Sequence, residues 1–132
     1  GNAPLFRGRG DIQGKPVVDG EQRRDVVYVK DVVKVNLWFW QHKGPSGIYN
    51  CGPGHAQSYN EVANAIIKAM GKGEIEYVDF PEVLKGKYQN FTEADLTNLL
   101  AAGYDEGFTD MEQAVKEYVD FLDQGGYFKY KK

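Results

Sequence analysis

Residues 19–40 read DGEQRRDVVYVKDVVKVNLWFW, and this stretch decides the fold. It packs a turn, an arginine pair, a short apolar strand and an amphipathic helix into one continuous unit. Asp19-Gly20 is a turn dipeptide, and the β-branched and aromatic run of residues 26–29 predicts a strand. Asp31 is placed to cap the helix that follows, because its carboxylate accepts from free backbone N–H groups and its charge suits the helix dipole. Val33, Asn36, Leu37 and Trp40 then recur at helical spacing. Arg23 and Arg24 stand at the mouth of this strand-to-helix unit, and two readings of them are open. With Asp19, Glu21 and Asp25 beside them they form a solvated ion-pair cluster, or they face a phosphate-bearing ligand. Spacing does not choose between the two.

The rest of the composition sets bounds. A chain of 132 residues has the length of one domain with a single core. Hydrophobic residues at 42% and charged residues at 27% describe a globular chain. A net charge of −3 leaves no basic footprint for nucleic acid. No apolar run approaches the roughly 20 residues that span a bilayer, and no signal peptide opens the sequence, so no membrane partner is expected. Cys51 is the one cysteine, which excludes an internal disulfide framework and a Cys-based metal site and suits a reducing, cytoplasmic setting. His42 and His55 have no second ligand at metal spacing and read as surface residues.

Residues 1–20 are glycine-rich and predict a flexible or ligand-ordered loop, in which Pro4, Leu5 and Phe6 suit a short edge strand. Gly8, Gly10 and Gly14 do not make a dinucleotide fingerprint, which needs a preceding strand and a following helix. Residues 44–47 are a turn and 48–51 a short strand. The glycine-rich connection at 52–54 either holds an anion or is only a tight link. Ser58 and Glu61 form a capping box that opens a helix through Val62, Ala65, Ile66, Ala69 and Met70, ended by Gly71. Residues 74–80 alternate as a half-buried strand, and Pro81 stops it. Residues 83–91 make a basic loop with Lys85, Lys87 and Tyr88, either a contact for a diphosphate or sugar hydroxyl or a solvated connection. A helix capped by Thr92 with Asp95 runs to Ala102 and puts Leu96, Leu99 and Leu100 in the core. Thr109 and Glu112 form a second capping box for a helix through Leu122, with Met111, Ala114, Val115, Tyr118, Phe121 and Leu122 on one face. Residues 127–132 form a short terminal tail.

The ordered string DGEQRRDVVYVKDVV resembles the RDFVYV-x-DV segment of the extended short-chain dehydrogenase/reductases, the nucleotide-sugar epimerases and dehydratases. The resemblance continues through VNLWFW, SGIYNCGPG, SYNEVANAI and the segment from 75 to 104, so it covers nearly the whole chain. Residues 85–99, KGKYQNFTEADLTNL, are its most specific part and resemble the heptose epimerases of that family, since relatives acting on other sugars do not usually share them.

That resemblance implies an α/β fold: residues 1–132 as one substrate-binding domain, a small C-terminal lobe with short strands and three to four helices, lacking the Rossmann domain. It implies an isomerase acting on ADP-heptose, a lipopolysaccharide core precursor, with NADP bound mainly by an N-terminal domain absent from this chain. It also implies a homo-oligomer in full-length form, and a lobe inactive alone. Arg24 would then bond the diphosphate, and Tyr88 matches the tyrosine of the family's KGRYQ segment, which contacts substrate. Phe6 and Gly8 align with a family segment of phenylalanine, an acidic residue, glycine and serine that contacts the sugar nucleotide, whereas Arg7 and Arg9 depart from it. These six residues are the candidate substrate-binding set. No catalytic residue carries over. Tyr127 and Lys131 stand at Tyr-x-x-x-Lys spacing, without a partner serine, and read as coincidence. Two alternatives stay open: a lobe of another extended-family epimerase or dehydratase, and a free-standing binding module.

Overall fold

The computed structural model describes residues 1–126, and the tail with its Tyr127 and Lys131 lies outside the described residues. The elements run β1 (Asn2–Phe6), β2 (Asp11–Ile12), β3 (Lys15–Pro16), β4 (Arg23–Arg24), α1 (Val29–His42), β5 (Gln57–Ser58), α2 (Tyr59–Met70), β6 (Glu74–Val78), β7 (Phe91–Thr92), α3 (Thr97–Ala101) and α4 (Met111–Asp123). A single 3-10 turn, Glu82–Leu84, follows β6.

The glycine-rich opening is built into strands. β1 lies parallel to β6, with Phe6 opposite Val78, and Asp11 to Pro16 closes as a hairpin. Gln13 and Gly14 at its tip have φ of +52° and +78°, the pair of positive φ values that matches the right-handed twist of flanking strands. The third sheet has the order β5-β4-β7, with β4 antiparallel to β5 and parallel to β7.

The strand expected at residues 26–29 is absent. The β4 ladder ends with Asp25 N–H on the Thr92 carbonyl at 3.0 Å, because the antiparallel partner β5 begins only at Gln57, opposite Arg24, and leaves residues 26–29 nothing to pair with on that side. The apolar run continues extended without a ladder partner as far as Tyr28, the N-cap of α1 at φ −80° and ψ 133°. Asp31 lies in the first turn but does not cap its own helix. Its carboxylate is 2% exposed and accepts from the backbone N–H and hydroxyl of Thr109, each at 2.8 Å.

The buried face of α1 is Asp31, Val35 and Trp38. Val33 and Leu37 are about half exposed and Trp40 is 77% exposed, so that run of spacing marks the outer side. Val35, Trp38, Leu99 and Tyr104 make the core, with Phe39, Tyr49, Cys51, Leu96 and Phe108 packed against it. Trp38 meets Phe39 and Tyr104 edge-on at ring separations of 5.1 and 5.7 Å, a favoured aromatic geometry. Residues 48–51 take no strand partner among the described residues; Tyr49 and Cys51 pack on this core while Ile48 is 92% exposed.

α3 is shorter than the 92–102 helix that the sequence suggests. Thr92 pairs in β7 instead, and Asp95 organises the helix start by accepting from Thr97 N–H and hydroxyl at 2.9 and 2.6 Å. Leu99 is fully buried, Leu96 half-buried and Leu100 largely exposed. α2 has the expected capping box, Ser58 N–H to Glu61 Oε2 at 2.6 Å and Glu61 N–H to Ser58 Oγ at 3.2 Å, and Gly71 closes it in the left-handed region. α2 packs on α4, with Ala65 and Ala114 buried. The cap of α4 is Asp110, which accepts from Glu112 N–H at 3.0 Å; Thr109 is held by Asp31. Tyr118, Phe121 and Leu122 of α4 stay exposed, with Tyr118 and Leu122 lining a groove between α4, α2 and residues 26–28.

Candidate functional site

The first turn of α2 is clamped to residues 19–22, and this fixes the arginine pair. Gly20 has φ of +72°, and a Cβ there would meet Asn60 Oδ1 at 2.2 Å, so the turn needs glycine. Asn60 N–H donates to the Gly20 carbonyl at 3.0 Å, and Tyr59 N–H to the Gln22 carbonyl at 3.1 Å. Asn60 Nδ2 donates to the Asp19 carbonyl and to Glu21 Oε1 at 2.9 and 2.6 Å. β4 therefore enters the sheet with Arg24 opposite Gln57 on one side and Thr92 on the other.

Arg24 reaches over two phenol rings. Its guanidinium carbon is 5.0 Å from the Tyr88 ring centre and 5.9 Å from that of Tyr59, within the range of cation–π attraction. It donates to the Arg23 carbonyl at 2.7 Å and to the Gln89 carbonyl. The Tyr88 hydroxyl donates to the Tyr59 hydroxyl at 3.1 Å. Burial first, and then that bond, push the Tyr88 phenol up to about 12, against a smaller opposing pull from Arg24. Phe6, Phe80 and Tyr88 form a triangle of rings 5.3 to 6.1 Å apart, and Arg9 lies 6.0 Å over Phe80.

The charges sort the arginines into two kinds. Arg23 faces Glu21 and Glu61, each at 3.8 Å, and Arg7 is paired with Asp19 at 3.1 Å and Asp79 at 3.3 Å. Arg24 and Arg9 have no carboxylate within 4 Å among the described residues. The ion-pair reading thus describes Arg23, while Arg24 keeps an uncompensated, partly covered guanidinium whose planar fork matches phosphate oxygens. Gly8 has a packing reason of its own: a Cβ there would meet the Val17 carbonyl at 1.9 Å, and its N–H is spent on Asp19 at 2.8 Å. The structure brings Arg24, Tyr88, Phe6 and Arg9 together and commits Arg7 and Gly8 to Asp19.

Two members of the cluster escape the sequence reading. Tyr59 looks like filler inside the capping box, and Phe80 like the last residue of a strand. Only the pairing of β5 with β4 and of β6 with β1 brings their rings to the arginines.

The glycine turn at 52–54 holds an anion from its own chain. Asp25 accepts from Gly54 N–H and Ala94 N–H, both at 2.9 Å, and from His55 N–H at 3.4 Å. These amides are taken, so this turn does not fit the pyrophosphate of a dinucleotide, and the tightly packed Gly8 segment does not either. His42 is stacked on Trp38 with its Nδ1 at 3.0 Å from the Trp38 carbonyl. Among the described residues no three His, Cys, Asp or Glu side chains gather as metal ligands, and no helix is long and apolar enough to cross a membrane. A cleft of about 370 Å³ beside His55, Tyr104 and Asp110 and an apolar groove of about 340 Å³ between residues 26–28, α2 and α4 include neither Arg24 nor Tyr88.

Residues 7–52 match the family model described as the NAD dependent epimerase/dehydratase family. Over 102 residues the chain is 55% identical to the ADP-L-glycero-D-manno-heptose-6-epimerase of Alkalilimnicola ehrlichii, which covers 77% of this chain and 32% of that protein. The crystal structure of ADP-L-glycero-D-manno-heptose-6-epimerase from Helicobacter pylori superposes with a TM-score of 0.66 at 27% identity, covering 92% of this chain and 33% of that one. The UDP-N-acetylglucosamine 4-epimerase of Methanobrevibacter ruminantium M1, solved with UDP-N-acetylmuramic acid, reaches 0.71 at 20% identity, over 94% and 35%. The likeness to this last protein is one of fold. Two further neighbours were solved with NAD+ and with NADPH. The chain spans about a third of the length of the relatives it matches. With its short strands, four helices and RRDVVYVKDVV segment, the chain is similar over most of its length to ADP-L-glycero-D-manno-heptose-6-epimerases and, over residues 7–52, to the NAD dependent epimerase/dehydratase family.

Proposed function

We propose that this chain is the substrate-binding part of an epimerase that interconverts ADP-D-glycero-D-manno-heptose and ADP-L-glycero-D-manno-heptose. The observation that carries the proposal is the meeting of Arg24, which has no carboxylate partner among the described residues, with Tyr88 at 5.0 Å. The 55% identity to a named heptose epimerase supports it. In this reading Arg24 spans two oxygens of the diphosphate. Tyr88 meets the sugar-nucleotide, and the rings of Phe6 and Phe80 with Arg9 wall the crevice. Arg7 and Gly8 act one step back, holding Asp19 and the turn that presents β4. The nicotinamide cofactor, NADP, would supply hydride transfer and be held by a separate N-terminal domain, since the glycine turns here are filled by their own chain. The protein would work in the cytoplasm as a homo-oligomer, in the supply of lipopolysaccharide core precursors.

Calorimetric titration with ADP-heptose tests this. Arg24→Ala should weaken binding about tenfold or more, the usual scale of a lost bond to a charged group. Equal affinity in the variant and the parent would overturn the assignment. UDP-hexoses in the same assay test the sugar: preference for one of them would move the chain to another member of the family.

A further inference from the structure

Gln22 is fully buried, which is rare for glutamine, and its amide is only half satisfied. Nε2 donates to the Arg7 carbonyl at 3.2 Å, while Oε1 has no hydrogen-bond partner among the described residues. A backbone carbonyl only accepts, so it must face the NH2 group, and the orphan is the oxygen. An acceptor buried without a donor costs stability, and such a group calls for a reason other than packing. We propose that Gln22 is a positioning residue of the crevice: its amide holds the end of β1 so that Phe6 and Phe80 stand against Tyr88 beside Arg24. This rests on the reading of the crevice as a nucleotide-sugar site.

The rings of the crevice come from distant stretches of the chain, and residues 22 and 23 join those stretches. The β1 ladder ends where Phe6 lies opposite Val78. The next residue, Arg7, still donates its N–H to the Val78 carbonyl at 2.9 Å, but its carbonyl takes the Gln22 side chain in place of a strand. Arg7 directly follows Phe6, and Val78 stands two residues before Phe80, so this one side-chain bond bears on both members of a ring pair 5.3 Å apart. The other two ties are made by backbone. The Gln22 carbonyl accepts from Tyr59 N–H at 3.1 Å, and Arg23 N–H donates to the carbonyl of Asn90, two residues after Tyr88, at 2.7 Å. An apolar side chain at position 22 would keep both backbone ties, remove the orphan oxygen and release only the end of β1. Arg7 is exposed, so water can meet its freed carbonyl. The position thus sets two properties against each other: stability holds or gains without the amide, and the placement of the Phe6 and Phe80 rings loosens.

The test uses the 132-residue chain and Gln22→Met, which has a similar length and no amide, with ADP as the probe. The midpoint of denaturant unfolding should equal or exceed the parent's, while ADP should bind about two- to tenfold more weakly, the scale of one neutral hydrogen bond. Equal affinity, or a midpoint below the parent's, would overturn the inference, since either makes Gln22 a residue of the core alone. A second readout needs no ligand. Nuclear Overhauser contacts of the Phe6 ring with Phe80 and Tyr88 should weaken in Gln22→Met, and contacts as strong as the parent's would overturn the inference as well. Arg24→Ala keeps the two levels apart: ADP binding lost there and held in Gln22→Met removes Gln22 alone. A parent chain that does not bind ADP removes the reading of the crevice, and the ring contacts then decide what Gln22 positions.

Discussion

Two clusters of aromatic rings, one around Trp38 and one around Arg24, do opposite things with their polar ends. Around Trp38 the rings are dry: Trp38 is 6% and Tyr104 2% exposed, and the Tyr104 hydroxyl is answered by the Gly107 carbonyl at 2.9 Å. Around Arg24 the rings are half-open, two guanidinium groups lie on them without carboxylates, and one phenol answers another. The first cluster closes its hydrogen bonds within the chain and so contributes packing. The second leaves a guanidinium without a carboxylate among the described residues, and an unmatched cation is what an anionic ligand needs. Aromatic content alone separates neither; the fate of the hydroxyl does.

The sharpest way to break this contrast is Trp38→Ala, expected to cost about 3–5 kcal/mol in denaturant unfolding, the range for large core aromatics. A loss under about 1 kcal/mol would mean that the Trp38 cluster is not the core. Asp31→Ala comes next, at about 1–3 kcal/mol, because it leaves the partly buried Thr109 N–H without its acceptor; Thr109→Val removes only the hydroxyl bond and should cost less. Tyr88 supplies a test by pH. Its phenol stands above the ordinary value of 10.0, so its contribution is complete below about pH 10 and is lost as the pH climbs toward about 12, where the unfolded chain gives up the proton first. Tyr88→Phe should flatten that part of the stability curve, and an unchanged slope would place the phenol in water. The smallest effect belongs to Trp40→Ala: the same residue type two positions along α1 from Trp38, but 77% exposed, it should shift stability by no more than about 0.5 kcal/mol.

How much of this is legible in sequence depends on how far apart the partners lie. The Ser58 and Glu61 box and the Gly71 stop are local and are found as read, whereas the strand read over residues 74–80 is found only as Glu74–Val78, with Ile75 and Val78 half-buried and no strict alternation. The buried side of α1 is not legible, because apolar residues surround the helix: Val29, Val33, Leu37 and Trp40 on the outside look like Val35 and Trp38 within. Asp31 is an equally fair cap from its neighbours, and only Thr109, 78 residues away, claims it. The same limit governs the crevice. Arg23 and Arg24 are adjacent and chemically alike, and which one is paired off is decided by Glu21 and Glu61 across the turn. Family resemblance points to Arg24 and Tyr88; it says nothing of Tyr59 and Phe80, whose place comes from ladders two to five residues long.

Both parallel ladders join distant parts of the polypeptide, residues 2–6 with 74–78 and residues 23–24 with 91–92. During synthesis β1 must wait, its N–H and C=O groups unpaired, until residues 74–78 have emerged. Such non-local pairing is slow to form, and a waiting strand is open to association with other chains. The hairpin of residues 11–16 forms locally just after that strand but belongs to a separate sheet, so β1 stays unpaired until β6 arrives.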